Sequence, residues 1–370
     1  MRTYLPVLAA LLFCCQEDEN IPLVRKYHLA WESDIGKTYY TDNTLPSIEF
    51  VSLLSLSDGY VVFSRSIAIY EGTLTKTDLR GAIQADVTIE GEYLISTFDD
   101  GSDGIILISA LENNYFRIRK YNSALELISQ QEFDLSLPVF RKYFFVQDAI
   151  FRARADDAFL EKFDLTGSFL WRSSITEYGF PDFINPLYAV SRNSSQVTLT
   201  YVQNDMLNIT HIDSRTGKLI WKRKYSIAED FGGADLRFNY RWGANGRFYF
   251  AGSRTASGQS YLSVVVLRTD GSLHVFKEIP LMAGQVANVG TILPTSDNGA
   301  IISLGTDVGS DTVNFRLLKI DSKGNPGWMG TFQNSLGFDY LSGMVEHDNG
   351  DVVFLTYYGY MASLKADYSN

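Results

Sequence analysis

The sequence is poor in the residues that most often carry chemistry or covalent structure. Of 370 residues, two are cysteine, four are histidine and nine are proline. The cysteines are adjacent, Cys14 and Cys15, and close an apolar stretch near the amino terminus. If Cys15 is the lipid acceptor and residues 1–14 are removed, nothing is left for disulfides, thiol nucleophiles or thiolate metal sites, and stability must come from packing. His28, His211, His274 and His347 fall singly along the chain, which argues against a histidine metal centre or a histidine general acid–base pair. Positive charge is also short. Thirty-two Lys and Arg against 43 Asp and Glu leave a net charge of −11, and phosphate binding needs a basic footprint, so nucleic acid is not an expected partner. The apolar run Leu5–Phe13 is too short to span a bilayer, and no long low-complexity tract appears. Scarce proline with 45% hydrophobic residues points to a folded chain with a large core.

What the chain does have is a repeat, clearest in Asn208–Tyr225, NITHIDSRTGKLIWKRKY. An alternating strand ends at Asp213, turn residues run to Gly217, and a second strand follows around Trp221. The Asp accepts hydrogen bonds from the turn backbone and the Gly supplies a positive φ. Phe163–Trp171 and Leu318–Trp328 repeat the pattern closely, whereas Leu74–Gly81 and Leu267–Leu273 keep strand and turn without Trp. Aligning Asp78, Asn122, Asp164, Asp213, Asp270, Asp321 and Asp367 gives spacings of roughly 42–57 residues. A second series of hairpin signals, including Asp58-Gly59, Asp100-Gly101, Asn245-Gly246, Asn298-Gly299 and Asn349-Gly350, runs in step with it. Both series predict an all-β, seven-bladed β-propeller with four strands, a to d, per blade. The last unit stops where its strand d should begin, and Lys26–Glu32 is a spare strand with Trp31 at the right place. An N-terminal strand paired into the last blade would close the ring and leave no open sheet edge there.

The amino terminus predicts an address. Arg2, the apolar Leu5–Phe13 and Leu12-Phe13-Cys14-Cys15 resemble a bacterial lipoprotein signal, with Cys15 as the lipidated residue. Gln16-Glu17-Asp18-Glu19-Asn20 resembles the acidic tag that directs some Gram-negative lipoproteins to the cell surface. The expected organisation is a signal peptide over 1–14, the lipidated Cys and an acidic linker over 15–24, and the propeller over 25–370. The expected location is the outer membrane, at the cell surface or on its periplasmic face, with lipid as the only membrane attachment.

The Asp213–Trp221 pattern, D-x-x-T-G-x-x-x-W, resembles the quinoprotein-like propeller repeat. That family includes pyrroloquinoline-quinone dehydrogenases and non-catalytic lipoproteins that assist outer-membrane assembly. The quinone enzymes are longer and carry adjacent cysteines beside the cofactor, which the mature chain lacks, so no cofactor is expected. Asp99, Asp100 and Asp103 are too few for an EF-hand, and no metal site is expected.

Candidate ligand-binding residues come from the innermost strands and the loops at one end of the channel. Arg141 and Lys142 open strand a of blade 3, while Arg237, Tyr240 and Arg241 belong to that of blade 5. The d–a connections supply Tyr178, Asp182, Asp230, Asp339 and Tyr340, and the b–c loop of blade 7 supplies Tyr357 and Tyr358. Aromatic faces beside Arg and Asp suit sugars or peptides. With no catalytic constellation in view, the expected function is a binding or scaffolding propeller for a protein partner or an extracellular glycan. Alternatives are a propeller-fold polysaccharide lyase or glycoside hydrolase, and an accessory of outer-membrane protein assembly; the sequence does not address oligomeric state.

Overall fold

A computed structural model describes residues 26–35, 48–66, 71–111, 115–134, 143–146, 149–154, 159–174, 187–193, 195–234, 236, 240–281, 288–305, 314–333 and 341–367. These form seven antiparallel sheets of four strands each. The chain begins with β1 (Lys26–Asp34) and then lays down blade 1 as β2 (Ile48–Leu56), β3 (Gly59–Ser66), β4 (Glu71–Asp78) and β5 (Ile83–Glu90). Blade 2 is β6 (Tyr93–Asp99), β7 (Ile105–Ala110), β8 (Tyr115–Tyr121) and β9 (Leu127–Asp134). Blade 3 is β10 (Tyr143–Val146), β11 (Ala149–Arg154), β12 (Phe159–Asp164) and β13 (Phe169–Ser174). Blade 4 is β14 (Leu187–Asn193), β15 (Gln196–Gln203), β16 (Met206–Asp213) and β17 (Leu219–Ser226), followed by the short helix α1 (Ile227–Phe231). Blade 5 comprises β18 (Tyr240–Trp242), β19 (Phe248–Ala256), β20 (Gln259–Leu267) and β21 (Leu273–Pro280). Blade 6 comprises β22 (Asn288–Pro294), β23 (Ala300–Gly305), β24 (Asn314–Ile320) and β25 (Pro326–Gln333). Blade 7 has β26 (Leu341–Glu346), β27 (Val352–Thr356) and β28 (Tyr360–Asp367), and β1 pairs antiparallel with β28 as its fourth strand. The predicted propeller and its closure are therefore both present.

Burial follows position in the blade. Strands b and c are flanked by neighbouring blades on both faces, and they read as nearly continuous apolar runs such as Tyr60–Phe63, Ile105–Ile108 and Val352–Leu355, all buried. Strand d is outermost, and β5, β13 and β17 are largely exposed. The core consists of clusters shared between adjacent blades, for example Leu207 and Ile209 of blade 4 with Phe248, Phe250 and Val265 of blade 5.

The turn between strands c and d is the repeated local unit. Oδ1 of Asp78 accepts hydrogen bonds from the backbone N–H of Arg80 and Ala82, and Asn122, Asp164 and Asp321 do the same two and four residues on. In blade 5 the corresponding position is Arg268 rather than Asp270, because Arg268 makes the equivalent backbone bonds to Ser272 and Gly271. The alignment on Asp270 is thus shifted by two residues; Asp270 binds Ser272 from inside the turn.

The aromatic residues of strand d join this turn to the preceding blade. Gly217 has φ +69°, and a Cβ placed there would lie 2.8 Å from the Trp171 ring of blade 3. Trp171 Nε1 donates to the Ser214 carbonyl at 2.8 Å, and Trp221 Nε1 donates to the Thr269 carbonyl of blade 5 at the same distance. Trp31 of β1 packs on Gly81 in the same way, so it acts as a strand-d Trp in blade 7. A further repeated device joins strand c to the a–b turn. Lys76, Lys120 and Lys319 stand two residues before the c–d turn residue and reach Asp58, Asp100 and Asp297 at 2.7, 2.6 and 2.9 Å. In blade 3, Lys162 takes this place and donates to Ser214 Oγ of blade 4 at 2.8 Å.

Candidate functional site: the channel and its mouth

Strands a touch one another around the ring, β2 against β26 and β6, β22 against β26 and β18, and β14 against β10 and β18. They therefore line the axis. Their side chains there are small and polar in places: Ser52 Oγ lies 2.5 Å from Thr97 Oγ1, and Ser342 Oγ donates to the Phe50 carbonyl.

The two ends of the channel differ. At the a–b and c–d end, turns of adjacent blades are bonded together: Ser57 to Asp103, Tyr60 to His347, Asn245 to Asn298 and Ser296 to Glu346. Burial and the nearby Asp351 charge push the Tyr60 hydroxyl up to about 12, which keeps it a neutral partner for His347. Asp99, Asp100 and Asp103 are likewise engaged by backbone, Ser57, Ser102 and Lys120, and no cluster of metal-ligating side chains occurs among the described residues.

At the opposite end, where d–a and b–c connections meet, blades 7, 1 and 2 bring together Glu49, Arg65, Tyr93, Tyr357 and Tyr358. Glu49 and Arg65 face each other across β2 and β3, and Arg65 places Nε and Nη2 each 3.0 Å from Glu49 Oε2. The Tyr357 hydroxyl donates to the other oxygen of Glu49, and its carbonyl accepts from Phe50 N at 3.0 Å. Burial first, then the hydrogen bond and charge of Glu49, hold the Tyr357 hydroxyl above the ordinary tyrosine range. Tyr358 meets Tyr357 edge to face at 5.3 Å, and the Arg65 guanidinium sits 5.1 Å over the ring of Tyr93. Tyr93 is 38% exposed at the mouth.

The other candidates are placed as follows. Arg241 is the middle residue of β18, two positions before the a–b turn that starts at Gly243, so it lies nearer that end of the channel. Its neighbours Tyr240 and Trp242 turn toward blade 4, where Trp242 Nε1 donates to Thr198 Oγ1 at 2.9 Å. Alternation sends Arg241 to the opposite face, where it is exposed and donates to the Tyr240 carbonyl at 3.0 Å. The surrounding protein nevertheless desolvates it and lowers its pKa from the usual arginine value. No carboxylate pairs with it among the described residues. Tyr240 is 2% exposed and packs against Phe248 and Phe250 in the core between blades. Asp230 belongs to α1, and its Oδ2 accepts from Ser226 N at 2.7 Å. Arg141, Lys142, Tyr178, Asp182, Arg237, Asp339, Tyr340 and Cys15 lie outside the described residues. Glu49, Arg65 and Tyr93 were not expected from sequence; the hairpin signal at Asp58-Gly59 locates β2 and β3, but the register shift at Val51 sets which residues face each other near the mouth.

No protein-family model matches the sequence, and no curated protein matches it. Solved structures do resemble the fold. The WD40 β-propeller domain of Doa1 aligns at a TM-score of 0.50 and 12% identity, covering 92% of this chain and 97% of that one. A prolyl endopeptidase structure aligns at 0.50 and 12%, covering 89% of this chain but 51% of that chain. The Dos1 propeller aligns at 0.48 and 10%, covering 92% and 95%. At such identities the likeness concerns fold alone, and the Doa1 match agrees with the β-propeller that the seven sheets form.

Proposed function

We propose that this chain is a lipid-anchored outer-membrane propeller, displayed at the cell surface, that binds a protein partner or an extracellular glycan without catalysis. The observation that carries the reading is the group at the mouth of the channel, where Tyr93 and Tyr358 flank the Glu49–Arg65 pair across three blades. An aromatic face beside a planar ion pair suits stacking on a sugar ring with hydrogen bonds to its hydroxyls. Among the described residues Glu49 is the one carboxylate of that group and is already held by Arg65 and Tyr357, whereas glycoside hydrolysis needs two carboxyl groups set across a bond.

Strand direction supports an outward display. Lys26 pairs with Asp367 at the c–d turn end of blade 7, and Asp34 pairs with Tyr360 at the opposite end. The described chain thus starts on the a–b and c–d side, so an anchor at Cys15 would favour a mouth, with Glu49 and Tyr93, that points away from the membrane. A glycan array probed with the soluble propeller should give hits that weaken in Tyr93→Ala and Arg65→Met, with no turnover of the bound polysaccharide. Hits unaffected by both variants would move the site elsewhere, and turnover would make the protein an enzyme.

A further inference from the structure

The chain carries net charge −11, yet one outer edge of the ring is basic. Between Ser214 and Ala228 there is no Asp or Glu, while Arg215, Lys218, Lys222, Arg223 and Lys224 all fall within this stretch, and all five are exposed. Three of these cations are on β17, the outermost strand of blade 4, and two on the turn that leads into it. The facing residues of β16 are Asn208, Ile209 and Thr210, so the sheet itself supplies no counter-charge. Asp213 lies 3.4 Å from Arg215, and Asp270 of blade 5 acts on Arg223, which leaves Lys218, Lys222 and Lys224 without a carboxylate partner among the described residues. Beyond Ser226, Glu229 and Asp230 bound the patch. Other outer strands differ: β5 carries Asp86 and Glu90, β9 carries Glu132 and Asp134, and β21 sets Glu278 beside Lys277.

Leu219 and Ile220 are exposed at the start of the same strand. The free side of β17 has no strand partner, so its outward backbone N–H and C=O groups stand in a row beside the cations. Lysine on an edge ordinarily discourages pairing. The same charges attract a strand that brings carboxylates. Lys222 and Lys224 share a side of the strand about 7 Å apart, which is the side-chain repeat of an extended peptide.

We propose that the outer edge of blade 4 docks an acidic, extended polypeptide segment, which adds to β17 as a fifth strand. Backbone bonds along the edge supply affinity, the lysines select carboxylates, and Leu219 and Ile220 receive apolar side chains between them. This site is remote from the channel mouth and does not rest on the ligand reading there.

The test uses the soluble propeller and a fluorescein-labelled peptide of alternating Glu and Val, followed by fluorescence anisotropy and by amide hydrogen exchange. Wild type should bind, with slowed exchange confined to β17. Lys222→Glu with Lys224→Glu should weaken binding about tenfold or more, at an unchanged thermal midpoint. Lys277→Glu, on the outer strand of blade 5, should leave it unaltered. Absence of binding by folded wild type, or binding insensitive to the double variant, overturns the proposal. Equal affinity for phosphatidylglycerol vesicles or heparin without slowed exchange at β17 also overturns it, because the patch would then be a general anion surface.

Discussion

Asp297→Asn isolates the most deeply buried charge described in the ring. Lys319 is 0% exposed, and its Nζ is held 2.9 Å from Asp297 Oδ1 and 2.8 Å from the Ile320 carbonyl. The substitution keeps an acceptor for Thr295 Oγ1 and for the Gly299 N–H but removes the negative charge. Stranding one member of a buried pair costs about 3–5 kcal/mol. Because the Asp297 side chain is 27% exposed, the lower end of about 3 kcal/mol applies after solvent screening. Replacing Lys319 by Met in the same chain removes the stranded cation, so the double variant should recover most of the loss. Equilibrium urea denaturation followed by the fluorescence of the five tryptophans measures both. Burial alone would raise the Asp297 carboxyl, but the Lys319 charge, together with hydrogen bonds from Thr295, Lys319 and Gly299, brings it below the ordinary aspartate value. Its contribution is therefore complete above the unfolded pKa of about 4 and is lost as pH falls through the depressed folded value. The difference between wild type and Asp297→Asn should be constant near neutral pH and close in acid. A cost below about 1 kcal/mol for Asp297→Asn, or a double variant less stable than the single, would refute this account of the lysine.

Deleting Val24–Trp31 removes most of β1 and uncovers β28, so thermal melting should shift well down and aggregation appear; an unchanged midpoint would contradict closure through that strand. Gly217→Val forces a β-branched residue to φ +69° against the Trp171 ring, and should destabilise by several kcal/mol in urea titration, whereas tolerance would mean that the blade 3–blade 4 contact is loose. Arg241→Gln removes a desolvated cation that has one backbone acceptor among the described residues, so the melting midpoint should stay or rise, and a marked fall would reveal a carboxylate partner.

The seven units and the closing strand are legible in the sequence because each rests on local chemistry. A turn Asp or Asn recurs roughly every 42–57 residues, in most units with a following Gly and in some with a strand-d Trp, and Trp31 together with the missing last strand marks β1 as a strand d. Blade 5 misleads the alignment because Arg268 occupies the turn position and Asp270 falls inside the turn. The lysines at 76, 120, 162 and 319 form a second recurring mark two residues before the turn, whose meaning depends on the Asp or Ser that each reaches across the sheet or the blade boundary. The mouth is less legible. Tyr357 was expected there, but its partner Glu49 lies 308 residues away in sequence and is aligned with Arg65 by an irregular register. Tyr240 looks like a channel residue because strand a lines the axis, yet alternation turns every second side chain between the blades, where Phe248 and Phe250 cover it. The basic edge on β17 is visible as letters, but the absence of an opposing carboxylate is a matter of register with Asn208, Ile209 and Thr210.

Labelling Tyr93→Cys on intact cells with a membrane-impermeant maleimide tests whether the channel mouth is displayed outward from a lipid-anchored chain. If the chain is processed as proposed, with Cys14 removed and Cys15 lipidated, wild type should not react. The variant should label fully before lysis. Labelling that appears only after the outer membrane is permeabilised would place the mouth in the periplasm and contradict it.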